Sequence, residues 1–494
     1  MVAATDASNG ELPISVNKSK HRIYSESQAA QFQTAAKLDA GAVFVLESKG
    51  TNPLSLSLSL SPQSIIVLVC CVCRDMAPCR ISFDHIYCST SSVELPFAFT
   101  GLGWGPGTVA LILGAAITFY SYVLISKVLE DTEAHGHRII RFRDLAGHVL
   151  GPTWSTFVVL PVQFVLCLGT IIGSTLLAGQ SMKIIYLIYH PHGSMKLYEF
   201  IIIVGIIMII LSQLPSFHSL RYLNLLSLLM CLGYSTSVVG ASIYAGHSSH
   251  APSRDYSLPG SSTGKIFNAF NALAIIATTY GNGIIPEIQA TLAPPVAGKM
   301  VRGLLLTYAV VVSTFFSVAF SGYWAFGNLA AGNIFYNFAP TDGPSLIPNW
   351  LLFLANMFVI VQLFAVALVY SQPTFEIIEG RASDVEQKRF ALRNFLPRLV
   401  LRSVFIAVAT LIAAMIPFFG DINAFIGAFG FTPLDFVFPM ILYNANFKPS
   451  PRTLIFWVNM IIMVVYTAIG ILGCISAIRQ IVIDSQNYKL FANV

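Results

Sequence analysis

The chain repeats one pattern ten times. Apolar runs of about 20 residues, each bounded by polar turns, lie at roughly 104–126, 153–182, 198–214, 218–245, 266–292, 303–325, 350–372, 398–418, 422–443 and 454–478. A helix of about 20 residues matches the ~30 Å hydrocarbon core of a bilayer. Charged residues make up only 10% of the 494, hydrophobic residues 55%, and the mean hydropathy is +0.71. Soluble domains carry about 25% charged residues. The pattern is that of an all-α polytopic membrane protein.

A modest net charge of +5 hides a strong sidedness. One alternating set of loops holds fourteen Lys and Arg residues, among them Lys127, Arg138, Arg141, Arg143, Arg221, Lys299 and Arg302; the opposite set holds only Lys183, Lys196, Arg254 and Lys265. Basic loops stay on the cytoplasmic side. That places the N-terminus inside and the C-terminus outside, a parity that requires eleven spans, with the first before Trp104. Residues 1–40 are polar and read as a disordered cytosolic tail, and residues 41–494 as the transmembrane domain.

The expected first span is disrupted by an atypical stretch over residues 51–93. A Leu-Ser repeat from Leu54 to Ser61 leads into Cys70, Cys71, Cys73, Cys79 and Cys88. No C-x-x-C knuckle with a matching second half is present, so no metal site is expected. The apolar run from Ser64 to Cys73 is too short to span, and Arg74, Asp75, Arg80 and Asp84 stop it from extending. The stretch reads as an insertion in place of most of the first helix.

The run beginning at Ile266 is interrupted by Thr278-Thr279-Tyr280-Gly281-Asn282-Gly283-Ile284-Ile285-Pro286-Glu287. Unwound chain at membrane depth is tolerated where it lines a cavity, and paired half-helices of this kind build the binding sites of secondary transporters. Gly281 and Gly283 admit backbone angles that expose carbonyls and N–H groups. A half-helix starting near Gly283, with Pro286 in its first turn, would offer its positive end to a carboxylate, with Thr279, Tyr280 and Asn282 adding side-chain hydrogen bonds. The alternative is a kink that serves packing only.

Two acids inside spans are candidates for proton coupling or gating. Glu287 follows Pro286, and a carboxylate at that depth is costly unless paired or protonatable; otherwise it lies at the inner end, solvated beside Lys299, Arg302 or the Arg143 loop. Asp435 follows Pro433 in the tenth span, as a second proton site, a gate partner or a helix cap. Asp421, at the start of the same span, reads as structural. Gln163 and Gln362 are isolated polar side chains that face either the cavity or a neighbouring helix. His218 sits in the turn between spans four and five. Tyr323, Trp324 and Phe326 fit an aromatic belt, and the loop through Trp350, which carries Asp342, reads as an extracellular lid.

No nucleotide-binding loop, catalytic Ser/His/Asp set or nucleic-acid-binding feature is present. Asp421 and Asp435 are about 21 Å apart along one continuous helix at 1.5 Å per residue, too far to share a catalytic water as an aspartyl protease requires. The chain is therefore not expected to be an enzyme.

Several stretches carry a family resemblance: Leu38–Leu46, Phe142-Arg143-Asp144, Pro215–Tyr222, residues 278–291, Pro417–Asp421 and the ending Tyr488–Ala492. They resemble the plant GABA transporters of the amino acid/auxin permease family, over about residues 38–50 and 94–494. The resemblance implies an eleven-helix inverted-repeat fold of the amino acid–polyamine–organocation type. It also implies proton-driven import of GABA and similar amino acids at the plasma membrane, with protons as coupling ion and no other cofactor. In this family the first helix is also broken and supplies half of the substrate site; here only Glu94-Leu95-Pro96-Phe97-Ala98-Phe99 resembles its second half. A chain that lacks the first half can alternatively be an inactive or non-transporting membrane protein.

Overall fold

Backbone hydrogen bonding decides the architecture: in residues this apolar, every described element is helical and no strand occurs among the described residues. The computed structural model describes residues 90–213, 221–249, 251–290, 298–340, 345–379 and 392–487. All belong to one of two compact units, Met76–Val494; the other is Met1–Asp75. The expected N-terminal tail, the Leu-Ser and cysteine-rich stretch, the Pro215–Leu220 turn with His218, the lid residue Asp342 and the Tyr488–Ala492 ending lie outside the described residues.

The helices are α1 (Leu95–Leu102), α2 (Trp104–Ala134), α3 (Phe142–Leu150), α4 (Pro152–Tyr189), α5 (Leu197–Leu211), α6 (Arg221–His247), α7 (Ser262–Tyr280), α8 (Ile285–Gln289), α9 (Lys299–Phe326), α10 (Ile334–Phe338), α11 (Asn349–Glu379), α12 (Leu392–Met415), α13 (Phe419–Phe447) and α14 (Leu454–Asn487). Eight are long and apolar enough to cross a membrane, and Leu197–Leu211 is a shorter apolar helix. The chain is an all-α multi-pass membrane protein. The fifth expected run is α7 and α8, two helices with a gap between them.

Local chemistry explains the ends. Ser261 caps α7 by accepting a hydrogen bond from the Gly264 N–H at 3.3 Å. Gly103, at φ 75°, turns the chain from α1 into α2, a backbone region that favours glycine. Pro433 has no N–H to give, and α13 passes through a π-helical stretch, Gly427–Val437, in which the Thr432 hydroxyl bonds the Gly427 carbonyl at 2.7 Å.

In the packing, α11 lies along α4 and α6, while α13 is held between α7 and α14. The closest approach is at Gly427, where an added Cβ would stand 2.0 Å from the Ala274 carbonyl oxygen. Facing outward, Ile461, Val464, Ile471, Ile475, Ile478 and Val482 of α14 remain exposed, the reverse of a soluble surface and the expected face toward lipid.

Residues of two basic loops meet at one end of the bundle. Arg138 donates to the Ala290 carbonyl at 3.0 Å, Arg141 pairs with Glu376 at 2.7 Å, and the Gly298 N–H bonds Glu130 at 3.0 Å. At the opposite end Asp255 accepts from Asn328 at 3.0 Å and Arg254 lies over the Trp324 ring at 4.2 Å.

One expectation changes. Tyr323 and Phe326 do not form a belt facing lipid: both are buried, with the Tyr323 ring 4.9 Å from Trp104 and 5.6 Å from Phe99. Tyr323 packs on rings of α1 and α2, and Phe326 on the Phe338 ring of α10 at 5.7 Å. Each buried ring contributes through its large apolar area and its tilted or edge-on ring contacts.

Candidate functional site

The break between α7 and α8 frees backbone groups that must find partners elsewhere. The α7 ladder closes with Gly281 N–H donating to Ala277 O at 2.8 Å. Gly281 then becomes extended, with φ −68° and ψ 142°. Gly283 has φ 63°, open to glycine and strained for other residues. Pro286 occupies the first turn of α8, where no N–H is required.

Three side chains from three other helices take up the freed groups. The Asn282 N–H donates to Asp435 Oδ2 at 3.0 Å, and the Gly283 N–H to both Asp435 oxygens at 2.9 and 3.0 Å. The Tyr122 hydroxyl of α2 donates to Tyr280 O at 3.0 Å, and the Tyr370 hydroxyl of α11 to Asn282 O at 2.8 Å. The amides that the sequence offers to a ligand carboxylate thus hold a carboxylate already, that of Asp435. The exposed carbonyls hold tyrosine hydroxyls in place of an ammonium group.

Beside this knot lies a cavity of ≈ 40 Å³ between α2, α7–α8 and α9. At about 10–15 Å³ per water it has room for about three. Thr279, Tyr280, Gly281 and Asn282 line it, together with Tyr122, Thr307 and Tyr308; Ile285, Met300, Leu304 and Phe315 make its apolar side. The Tyr280 hydroxyl and Asn282 Oδ1 are buried without a hydrogen-bond partner, while the Tyr308 hydroxyl lies beside Thr118. Tyr280 and Asn282 both border the space, and a guest that widened it could give each of these atoms the partner it lacks. Thr279 spends its hydroxyl on Ile275 O at 2.9 Å. Four of the five residues singled out in the 279–283 break therefore line one cavity. Gly283 lies on its far side, where an added Cβ would stand 2.9 Å from Leu166.

Gln163 and Gln362 are not among the cavity's lining residues. Gln163 donates to Glu287 Oε1 at 2.8 Å, an interhelical bond from α4 to α8. Gln362 is fully buried on α11, eight residues and so about 12 Å before Tyr370 along the helix. Glu287 is buried rather than solvated: the same Oε1 accepts the Phe142 N–H at 3.1 Å, while Oε2 has no partner. The two acids thus tie the broken pair to different parts of the bundle, Asp435 to α13 and Glu287 to α3 and α4. Asp421 lies buried in the first turn of α13.

Sequence reasoning missed several participants, Thr307 and Tyr308 of the cavity lining among them. Tyr122 and Tyr370 carry no signal beyond a hydroxyl inside an apolar run. Glu94 is fully buried at the start of α1, with Oε2 accepting from Asn423 Nδ2 at 2.9 Å and Oε1 without a partner. Its signal was a lone carboxylate within an apolar stretch. Asn423 also accepts the Thr278 hydroxyl on its backbone carbonyl at 2.7 Å, so it joins α1, α7 and α13.

Residues 85–483 match the family model described as transmembrane amino acid transporter protein. GABA transporter 1 of Arabidopsis thaliana is 48% identical over 458 residues, covering 92% of this chain and 96% of that protein. Lysine histidine transporter-like 1 of the same plant is 31% identical over 404 residues, covering 81% and 86%. A solved structure of a Na+-coupled sialic acid symporter, substrate-bound and outward-open, aligns with a TM-score of 0.39 at 10% identity, covering 82% of this chain and 91% of that one. With a family match over most of its length and a broken helix bordering a polar cavity, the chain belongs to the transmembrane amino acid transporter family.

Proposed function

We propose that this amino acid transporter is a proton-coupled symporter that imports GABA and related amino acids across the plasma membrane, with its N-terminus and basic loops in the cytosol. The observation that carries the substrate class is the 48% identity to a protein named GABA transporter 1, spread over 92% of the chain. The cavity supplies the chemistry: Tyr280 and Asn282, two of its lining residues, hold a hydroxyl and an amide oxygen without partners. Substrate binds at Thr279, Tyr280, Asn282 and the 281–283 backbone. Asp435 and Glu287 are the proton-coupling or gating groups, as the only two acids that bond within or beside the broken pair among the described residues.

A cavity with room for a few waters is smaller than an amino acid, so substrate enters when the bundle opens around the break, as alternating access requires. The experiment is uptake of labelled GABA into cells or proteoliposomes, with and without a protonophore. Concentrative uptake that collapses with the pH gradient supports the proposal; concentrative uptake that persists refutes proton coupling.

A second reading attaches to residues 51–93. The family match begins at residue 85, and a chain without the first half of its first helix can remain a non-transporting protein. Absence of uptake here, together with its appearance when residues 51–93 are replaced by the corresponding segment of the Arabidopsis relative, would select that reading.

A further inference from the structure

We infer that Asp435 and the carboxylate of the transported amino acid compete for the same two backbone amides, those of Asn282 and Gly283, so that substrate is accepted only with a proton on Asp435. This rests on the proposed proton-coupled amino acid transport.

The amides of the break form a ready anion cradle, and the structure shows a carboxylate in it: three N–H···O contacts of 2.9–3.0 Å. The cradle is next to the cavity, since Asn282 lines it, and Tyr280, whose buried hydroxyl has no partner, lines the same space. A guest carboxylate entering there meets Tyr280 and, two and three residues on, the amides held by Asp435. A second anion in the cradle is excluded by repulsion at close range. Protonation converts Asp435 from a double acceptor into a weak one that donates, and its hold on the amides falls. The proton stays on Asp435, the two N–H bonds pass to the substrate carboxylate, and no covalent bond changes. One proton therefore accompanies each substrate carboxylate, and a zwitterionic substrate carries one net positive charge inward.

Other titratable groups do not substitute for Asp435. The groups that face it are the Tyr122 hydroxyl from α2, Tyr308 from α9 and Tyr370 from α11. Tyrosines are neutral at working pH, ordinarily ionising near 10. From α14, Tyr466 stacks on Phe436 at 4.4 Å, and α4 presents the apolar Leu166 to Gly430. Glu287 on α8 turns to Gln163 and Phe142. No Lys, Arg or His among the described residues bonds Asp435 or forms an ion pair with it.

The test is GABA affinity of the purified full chain as a function of pH, measured on wild type, Asp435→Asn and Asp435→Glu. In wild type, affinity falls toward tenfold per pH unit once Asp435 ionises, because the ionised form must take up a proton to bind. Asp435→Asn has no ionisable group, and its affinity is flat with pH; Asp435→Glu restores the slope. A wild-type slope in Asp435→Asn overturns the inference while leaving amino acid transport intact. Absence of GABA binding by wild type at every pH refutes the functional proposal and this inference with it. A variant-free check covers a misfolded Asp435→Asn: GABA added to wild type in weakly buffered solution above the ionisation range takes up about one proton per site bound. No proton uptake on saturable binding overturns the competition.

Discussion

Replacing Gln163 with leucine isolates what holds Glu287 in the bundle. Glu287 Oε1 has two donors, the Gln163 side-chain amide at 2.8 Å and the Phe142 N–H at 3.1 Å, and its other oxygen has none. Leucine is close to glutamine in size and leaves little cavity, so the change removes one hydrogen bond and little else. A bond to an ionised carboxylate contributes about 1.5–3 kcal/mol, and to a neutral acid about 1. Unfolding entropy near 2 cal/mol/K per residue over roughly 370 described residues converts 2 kcal/mol into a drop in Tm of about 2–3 °C. A double-mutant cycle with Glu287→Gln separates the pair from its surroundings. Q163L and E287Q should each destabilise the purified protein in thermal unfolding, and the double variant should fall about 1 kcal/mol or more short of their sum. Strict additivity would show that the 2.8 Å bond does no stabilising work and that Glu287 is held by Phe142 alone.

Three further perturbations follow. Tyr370→Phe keeps the ring, which stands edge-on to Phe431 at 6.3 Å, but strips the hydroxyl from Asn282 O; an unsatisfied buried carbonyl costs about 1–3 kcal/mol, so the folded bundle should lose that much stability, a drop in Tm of about 1–4 °C in thermal unfolding. Arg402, 3% exposed and bonded to Glu379 and to Ser212 O, should lose about 3–5 kcal/mol on change to alanine, whereas Arg141→Ala, which breaks a half-exposed pair with Glu376, should cost about 1 or less; thermal unfolding distinguishes the two. In the loop before α7, the Ser257 N–H and hydroxyl hold the Asp255 carboxyl below its usual range. Its stabilisation of that loop is present at pH above the unfolded value near 4 and is lost as pH falls through the lower folded value, so proteolytic cleavage at residues 251–261 should accelerate only in acid.

Most of the bundle was legible because membrane crossing is a local property. Residues 454–478 cannot leave hydrocarbon unless a charge interrupts them, and α14 covers them as one helix. The break at 281–283 was equally legible, since Gly-Asn-Gly before Ile-Ile-Pro disfavours helix whatever surrounds it. What occupies the break was not. Asp435 lies about 150 residues away in sequence, and nothing in Phe-Thr-Pro-Leu-Asp reveals that its carboxylate reaches the Asn282 and Gly283 amides. Gln163 illustrates the same limit: a polar residue in an apolar run declares that it has a partner, and only packing names Glu287. Tyr323 and Phe326 misled for a related reason, because an aromatic side chain near a helix end suits an interface and a core alike, and the rings that pack against it decide between them.

The partners of the break also determine how it can open. Four backbone groups of residues 280–283 are held by Tyr122 on α2, Tyr370 on α11 and Asp435 on α13. No one of these helices can move from the break without leaving a buried carbonyl or amide bare, at about 1–3 kcal/mol each. Opening is therefore favourable only if something else takes the vacated bonds. Water can do so for the carbonyls, and the cavity has room for about three molecules. The amides require an anion to match what they lose, because hydrogen bonds to a charged acceptor are roughly twice as strong as neutral ones. An amino acid carries such an anion, and an uncharged solute of equal size does not. On that account the break selects its substrates through the carboxylate. Methyl esters of transported amino acids should neither be carried nor compete for uptake, even though they keep the ammonium group and fit nearly the same volume; competition by an ester as strong as by its parent acid would show that the amides take no part in binding.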